Sequence, residues 1–79
     1  MIGAAMTAQE ILKEFEGWGI PGTLSDDGKQ IKIGKIGASI VRIDLHAEGS
    51  AQVKRGLIAY PLRTSPDELA DDVLDALGM

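Results

Sequence analysis

Few side chains here could do acid–base or nucleophilic work, and their spacing suits it poorly. His46 is the only histidine. Asp44 stands two residues before it, so on a strand the pair would share one face. A Ser–His–acid relay would also need Ser25, Ser39 or Ser50 beside that pair, in a cleft that excludes water. One His and no Cys leave neither a two-histidine nor a cysteine-based metal site within one chain. Asp26-Asp27-Gly28 has the acids and glycine of a calcium loop, but Gly34 stands where the closing Glu belongs. The expectation is a non-enzymatic protein with no catalytic, cofactor or metal residues.

The chemistry that remains is charge. Along Ser65 to Met79, Leu69, Ala70, Val73, Leu74 and Leu77 recur at helical spacing and make one apolar face. Glu68, Asp71, Asp72 and Asp75 fall on the other side with no base among them. Like charges one turn apart repel by about 0.2–0.5 kcal/mol per pair. Asp72 and Asp75 also lie toward the negative end of the helix dipole. The spacing predicts an exposed acidic face, which either keeps the protein soluble or docks a basic partner. Glu68, Asp71, Asp72 and Asp75 are the expected partner-binding residues.

Bases concentrate in the middle of the chain. Residues 1–28 carry a net −4, residues 29–63 a net +5 and residues 64–79 a net −5. Lys32, Lys35, Arg42, Lys54 and Arg55 form the alternative, nucleic-acid-binding set. Lys35 sits in a glycine-rich stretch. A Walker phosphate loop requires Ser or Thr after its lysine, and Ile36 stands there. Ile33-Gly34-Lys35-Ile36-Gly37-Ala38-Ser39-Ile40 resembles the I-G-x-x-G-x-x-I signature of KH domains, whose loop clamps a nucleotide backbone between two helices. That resemblance implies helices on both sides of the glycines. The β-branched alternation of Ile31, Ile33, Val41 and Ile43 predicts strands and a hairpin turn instead.

The elements that must position these charges are legible in outline. Thr7 and Glu10 form a capping box, and Ile11, Leu12, Phe15 and Trp18 a helical stripe that Gly17, Gly19 and Pro21 terminate. Trp18 is expected in the core, or else as an exposed anchor. Thr23 to Ser25 is expected as a short strand before an Asp-Asp-Gly turn. Gln30 to Ile36 and Ser39 to His46 alternate as strands, and Ala51 to Tyr60 is one long strand or two short ones, with a bulge expected at Gly56. Ser65, Pro66 and Glu68 predict a second capping box, and Gly78 a left-handed helix end. The expected fold is α+β: an antiparallel sheet of three or four strands with an N-terminal and a C-terminal helix on one face. The other sheet face would then present Lys32, Arg42, Asp44, His46 and Lys54. The buried set is expected to be Phe15, Trp18, Ile31, Ile33, Val41, Ile43, Leu45, Val53, Leu69, Val73 and Leu77.

Residues 1–6 are expected to be a flexible leader and residues 7–79 one domain, small enough that its core has little reserve. No apolar run is long enough to span a membrane, and the absence of cysteine fits a cytoplasmic protein. Ala8 to Ile33 resembles the helix-plus-hairpin docking domains of multienzyme assembly lines. The helix–sheet–helix order is similar to double-stranded-RNA-binding domains, which hold phosphates with helix lysines, whereas these helices are acidic. Nucleic acid is thus the less favoured partner. The leading expectation is a protein-binding module whose partner has a basic surface. A phage-type inhibitor is the concrete version, since small size and acidity resemble anti-CRISPR proteins in composition. No motif specifies the oligomeric state.

Overall fold

The computed structural model describes residues 6–78. Of the leader expected at residues 1–6, residues 1–5 lie outside the described residues, as does Met79; Met6 is half-buried against the core. The element order is α1 (Ala8–Trp18), β1 (Thr23–Leu24), β2 (Gln30–Ile36), β3 (Ser39–Leu45), β4 (Ala51–Arg55), β5 (Ile58–Ala59) and α2 (Pro66–Ala76). The strands form one antiparallel sheet in the order β1-β2-β3-β4-β5. The fold is α+β as expected, with five strands rather than three or four. Thr23–Leu24 pairs as a real edge strand, and Ala51 to Tyr60 divides into two.

Turn chemistry accounts for the meander. Gly28, Gly37 and Gly56 each hold positive φ at a hairpin bend. Gly37-Ala38 and Gly56-Leu57 are two-residue loops with glycine first, the pattern of the type II′ turn that matches strand twist. Gly56 is therefore a turn residue and hosts no bulge. The sheet irregularity lies between Lys32 and Gly34 instead. The strands on either side of Gly37 also remove the helices that the KH resemblance implies.

The helices start and stop for local reasons. At α1, the Glu10 amide donates to Thr7 Oγ1 at 3.2 Å and the Thr7 amide to Glu10 Oε1 at 2.9 Å, closing the capping box. Gly19 (φ 74°) ends the helix, and the Ile20 amide reaches the Phe15 carbonyl at 2.9 Å in a Schellman-type closure. The box expected at α2 does not close. Ser65 Oγ donates to Glu68 Oε1 at 2.9 Å and accepts no helix N–H. Pro66 begins that helix, and Gly78 (φ 79°) ends it as expected.

One core joins the helices to one sheet face. Ile11 and Phe15 come from α1, Ile31, Ile33, Val41, Ile43, Ala51 and Val53 from the sheet, and Leu69, Ala70, Val73 and Ala76 from α2. Leu45 and Leu77 are only half-buried. Trp18 is not core. It is 42% exposed, and its indole Nε1–H donates to Glu14 Oε2 at 3.0 Å. The left-handed turn at Gly19 sends Ile20 inward instead, where it is buried.

Candidate functional site

The acidic face of α2 is less free than its residue types suggest. Asp72 is buried rather than exposed, correcting its expected place in an outward row. Its two carboxylate oxygens accept from Arg63 Nε at 2.8 Å and Arg63 Nη2 at 3.1 Å. Arg63 is pinned opposite Ala51 by paired backbone bonds of 2.7 and 2.9 Å, which aims its guanidinium at α2. Its second neighbour is Glu68, at 3.6 Å. The hydrogen bonds Arg63 donates to Asp72, then the charges of Asp72 and Glu68, outweigh desolvation and hold the guanidinium pKa above its ordinary value. Asp75 is exposed but accepts from the Tyr60 hydroxyl at 2.7 Å, and that bond raises the phenol pKa. Asp71 is exposed, and among the described residues it makes no ion pair. Of the four expected residues, Glu68, Asp71 and Asp75 still face water and Asp72 is structural.

Residues outside that set extend the negative surface. Asp67 is exposed at the start of α2, and Glu10 and Glu16 are exposed on α1. The two helices pack against each other, so these carboxylates lie on one layer. Arg63 was missed as their internal counter-ion. It is the last base before the acidic run, which is the one signal that could have flagged it.

The open sheet face carries the opposite charge. Lys32 pairs with Arg42 and Arg42 with Lys54, a row across three strands. The β2 irregularity adds Lys35. In a regular strand Lys32 and Lys35 would face opposite ways, but Lys35 lies opposite Ile40, two residues from Arg42 and hence on the same face. Asp44 is the acid within this group. It sits 2.8 Å from Lys54 Nζ and 3.4 Å from Arg42 Nε and accepts from Gln30 at 3.2 Å. Partial burial pushes its carboxyl pKa up, and the two bases outweigh that and hold it below the ordinary value. Arg55 does not belong to this surface. It pairs with Val41 on the core face, and its Nη1 donates to the Ala76 carbonyl at 3.1 Å, capping the C-terminal end of α2.

Among the described residues no Ser–His–acid hydrogen-bond relay is assembled around His46. Asp44 is committed to Arg42, Lys54 and Gln30, Ser25 Oγ donates to Asp27, and Ser50 Oγ donates to Glu48 at 2.9 Å. His46 Nε2 is buried and has no hydrogen-bond partner among the described residues. Asp27 accepts from the Lys29 amide at 3.0 Å as well as from Ser25, so Asp26-Asp27-Gly28 closes the β1–β2 hairpin. Those bonds, the Ser25 hydroxyl first, lower the Asp27 pKa. Among the described residues, no three His, Asp or Glu side chains converge as a metal site, and no helix is long and apolar enough to cross a membrane. Comparison with protein-family models, with curated proteins and with solved structures gives no match.

Proposed function

We propose that the chain is a non-enzymatic binding module whose acidic helix layer docks on a basic surface of a partner protein. The observation that carries this reading is the division of charge between the two faces. Asp67, Glu68, Asp71 and Asp75 on α2, with Glu10 and Glu16 on α1, face water with Lys13 as the one exposed lysine of the two helices, while Lys32, Lys35 and Lys54 lie on the sheet. Clustered carboxylates speed encounter with a basic partner and suppress association with acidic ones. Asp72 leaves the contact set and becomes the residue that anchors α2 to Arg63. A groove that normally holds nucleic acid has the required charge, so an inhibitor of the phage type is the concrete form of the proposal. Capture from the native host, read by mass spectrometry, tests it. The reading expects a basic, nucleic-acid-binding protein retained by the parent and lost when Asp67 and Asp71 are both replaced by Lys. Equal retention by that variant would remove the acidic layer from consideration.

The row of Lys32, Arg42 and Lys54, extended by Lys35, supports a second reading as a nucleic-acid-binding sheet. No aromatic residue belongs to the five strands, so base stacking is not available there and phosphate contacts would dominate. This reading requires a gel shift with DNA or RNA at low salt that weakens steeply as salt rises. No shift at low salt would end it.

A further inference from the structure

Trp18 is the one large apolar side chain that α1 and α2 leave exposed. Its indole Nε1–H donates to Glu14 Oε2 at 3.0 Å, so the ring is held along the helix surface, one turn from Glu14. A groove runs beside it, lined by Glu10, Lys13, Glu14, Gly17, Trp18 and Pro66. Gly17 adds no side chain to it, and a Cβ there would stand in open space. Pro66 brings the start of α2 to its wall.

Two carboxylates of this groove each keep an oxygen to offer. Glu10 Oε1 accepts from the Thr7 amide and hydroxyl, and Glu14 Oε2 accepts from Trp18. Glu10 Oε2 and Glu14 Oε1 make no hydrogen bond among the described residues, and Lys13 forms no ion pair with either acid. A half-exposed indole beside two such carboxylates suits a planar cation. A guanidinium can lie on the ring and turn its N–H edge to the carboxylates, whereas an ammonium has no flat face to stack. The chain's own arginines are engaged elsewhere: Arg42 with Asp44, Arg55 with the Ala76 carbonyl, and Arg63 with Asp72 and Glu68. The guest therefore comes from another protein.

We propose that the groove receives an arginine side chain of the basic partner, stacked on Trp18 and hydrogen-bonded to Glu10 and Glu14. The inference rests on the docking of the acidic helix layer, to which Glu10 belongs. It adds what the charge of that layer does not give, a preference for arginine over lysine. Carboxylates attract either base, and Trp18 distinguishes them.

Fluorescein-labelled hexa-arginine and hexalysine carry equal charge, and anisotropy with the full chain measures the affinity of each. The parent should bind hexa-arginine about threefold or more tighter than hexalysine. Trp18 is the only tryptophan, and unlabelled hexa-arginine should quench its emission more than hexalysine does at equal saturation. Trp18→Leu should bind the two peptides equally, and a thermal melt confirms that it is folded, since Trp18 is not core. Asp67→Lys/Asp71→Lys should weaken both peptides and keep the preference. No binding of either peptide at low salt, equal affinities in the parent, or a preference that survives Trp18→Leu would each overturn the proposal. Equal affinities that both fall in Asp67→Lys/Asp71→Lys would remove the groove and leave the acidic layer standing. Failure of the layer reads differently: the captured partner then ignores the Asp67→Lys/Asp71→Lys exchange, whatever the peptides do.

Discussion

Asp72→Ala should destabilise the protein while Asp71→Ala, one residue away, should not. Asp72 is 7% exposed and holds both hydrogen bonds from Arg63, at 2.8 and 3.1 Å. Charge-assisted hydrogen bonds contribute about 1.5–3 kcal/mol each when buried, but they are not additive. Three terms reduce the loss. The Arg63 side chain is 31% exposed and can recruit water. Glu68, 3.6 Å away, can take over part of the guanidinium. Removing Asp72 also relieves its repulsion with Glu68, by about 0.2–0.5 kcal/mol. The net cost is about 2 kcal/mol, which lowers the melting temperature of a domain this size by roughly 10 °C. Asp71 is exposed and makes no ion pair among the described residues, and its replacement should change stability by less than about 0.5 kcal/mol. Urea and thermal melts of parent, Asp72→Ala, Asp71→Ala and the Arg63→Ala/Asp72→Ala double variant give the comparison and the coupling energy. If Asp72→Ala melts with Asp71→Ala, the anchoring of α2 by Arg63 is wrong.

Tyr60, the only tyrosine, should titrate above pH 10 by ultraviolet absorbance, and Asp75→Asn should return it toward that value. Because the phenol is raised in the fold, its contribution to stability is present below pH 10 and lost as pH rises through the raised value. Asp44 has the opposite sign: held below 3.8 despite partial burial by Lys54 and Arg42, it stabilises above that pH and loses its contribution as pH falls through the depressed value. Acid melts of Asp44→Asn should therefore lack part of the parent's loss of stability below about pH 4. A Cβ at Gly22 would lie 2.9 Å from Leu12 Cδ2 and 3.2 Å from Ile31 Cγ2, so Gly22→Ala should cost about 1–2 kcal/mol in a denaturant melt.

What was legible in the sequence was local. The Thr7–Glu10 box, the glycine stops at Gly19 and Gly78 and the alternation of β3 each depend on residues a few positions apart, and each formed. Ser65 and Glu68 have the same spacing, but Ser65 donates to the Glu68 carboxylate, and Arg63 lies on its other side. Trp18 continues the Phe15 stripe on a helical wheel, yet the path of the chain after Gly19 gave its core position to Ile20. Asp72 looked like its acidic neighbours because its partner enters from a β-bridge at Ala51, a contact that no helical period encodes. The cationic face was half legible. Lys32, Arg42 and Lys54 follow from strand alternation, whereas Lys35 joins them only through the β2 irregularity and Arg55 leaves them for the C-terminal end of α2.

The central claim is that the exposed carboxylates of the helix layer make the contact with a basic partner. The most direct measurement is the association rate of the captured partner with three proteins: the parent, Asp67→Lys/Asp71→Lys and Lys32→Ala/Lys35→Ala. Electrostatic steering predicts that the helix variant associates at least tenfold more slowly, with a weaker salt dependence, while the sheet variant keeps the parent's rate. A helix variant that binds at the parent's rate, or a slow sheet variant, would contradict the claim and move the contact to the open face of the sheet.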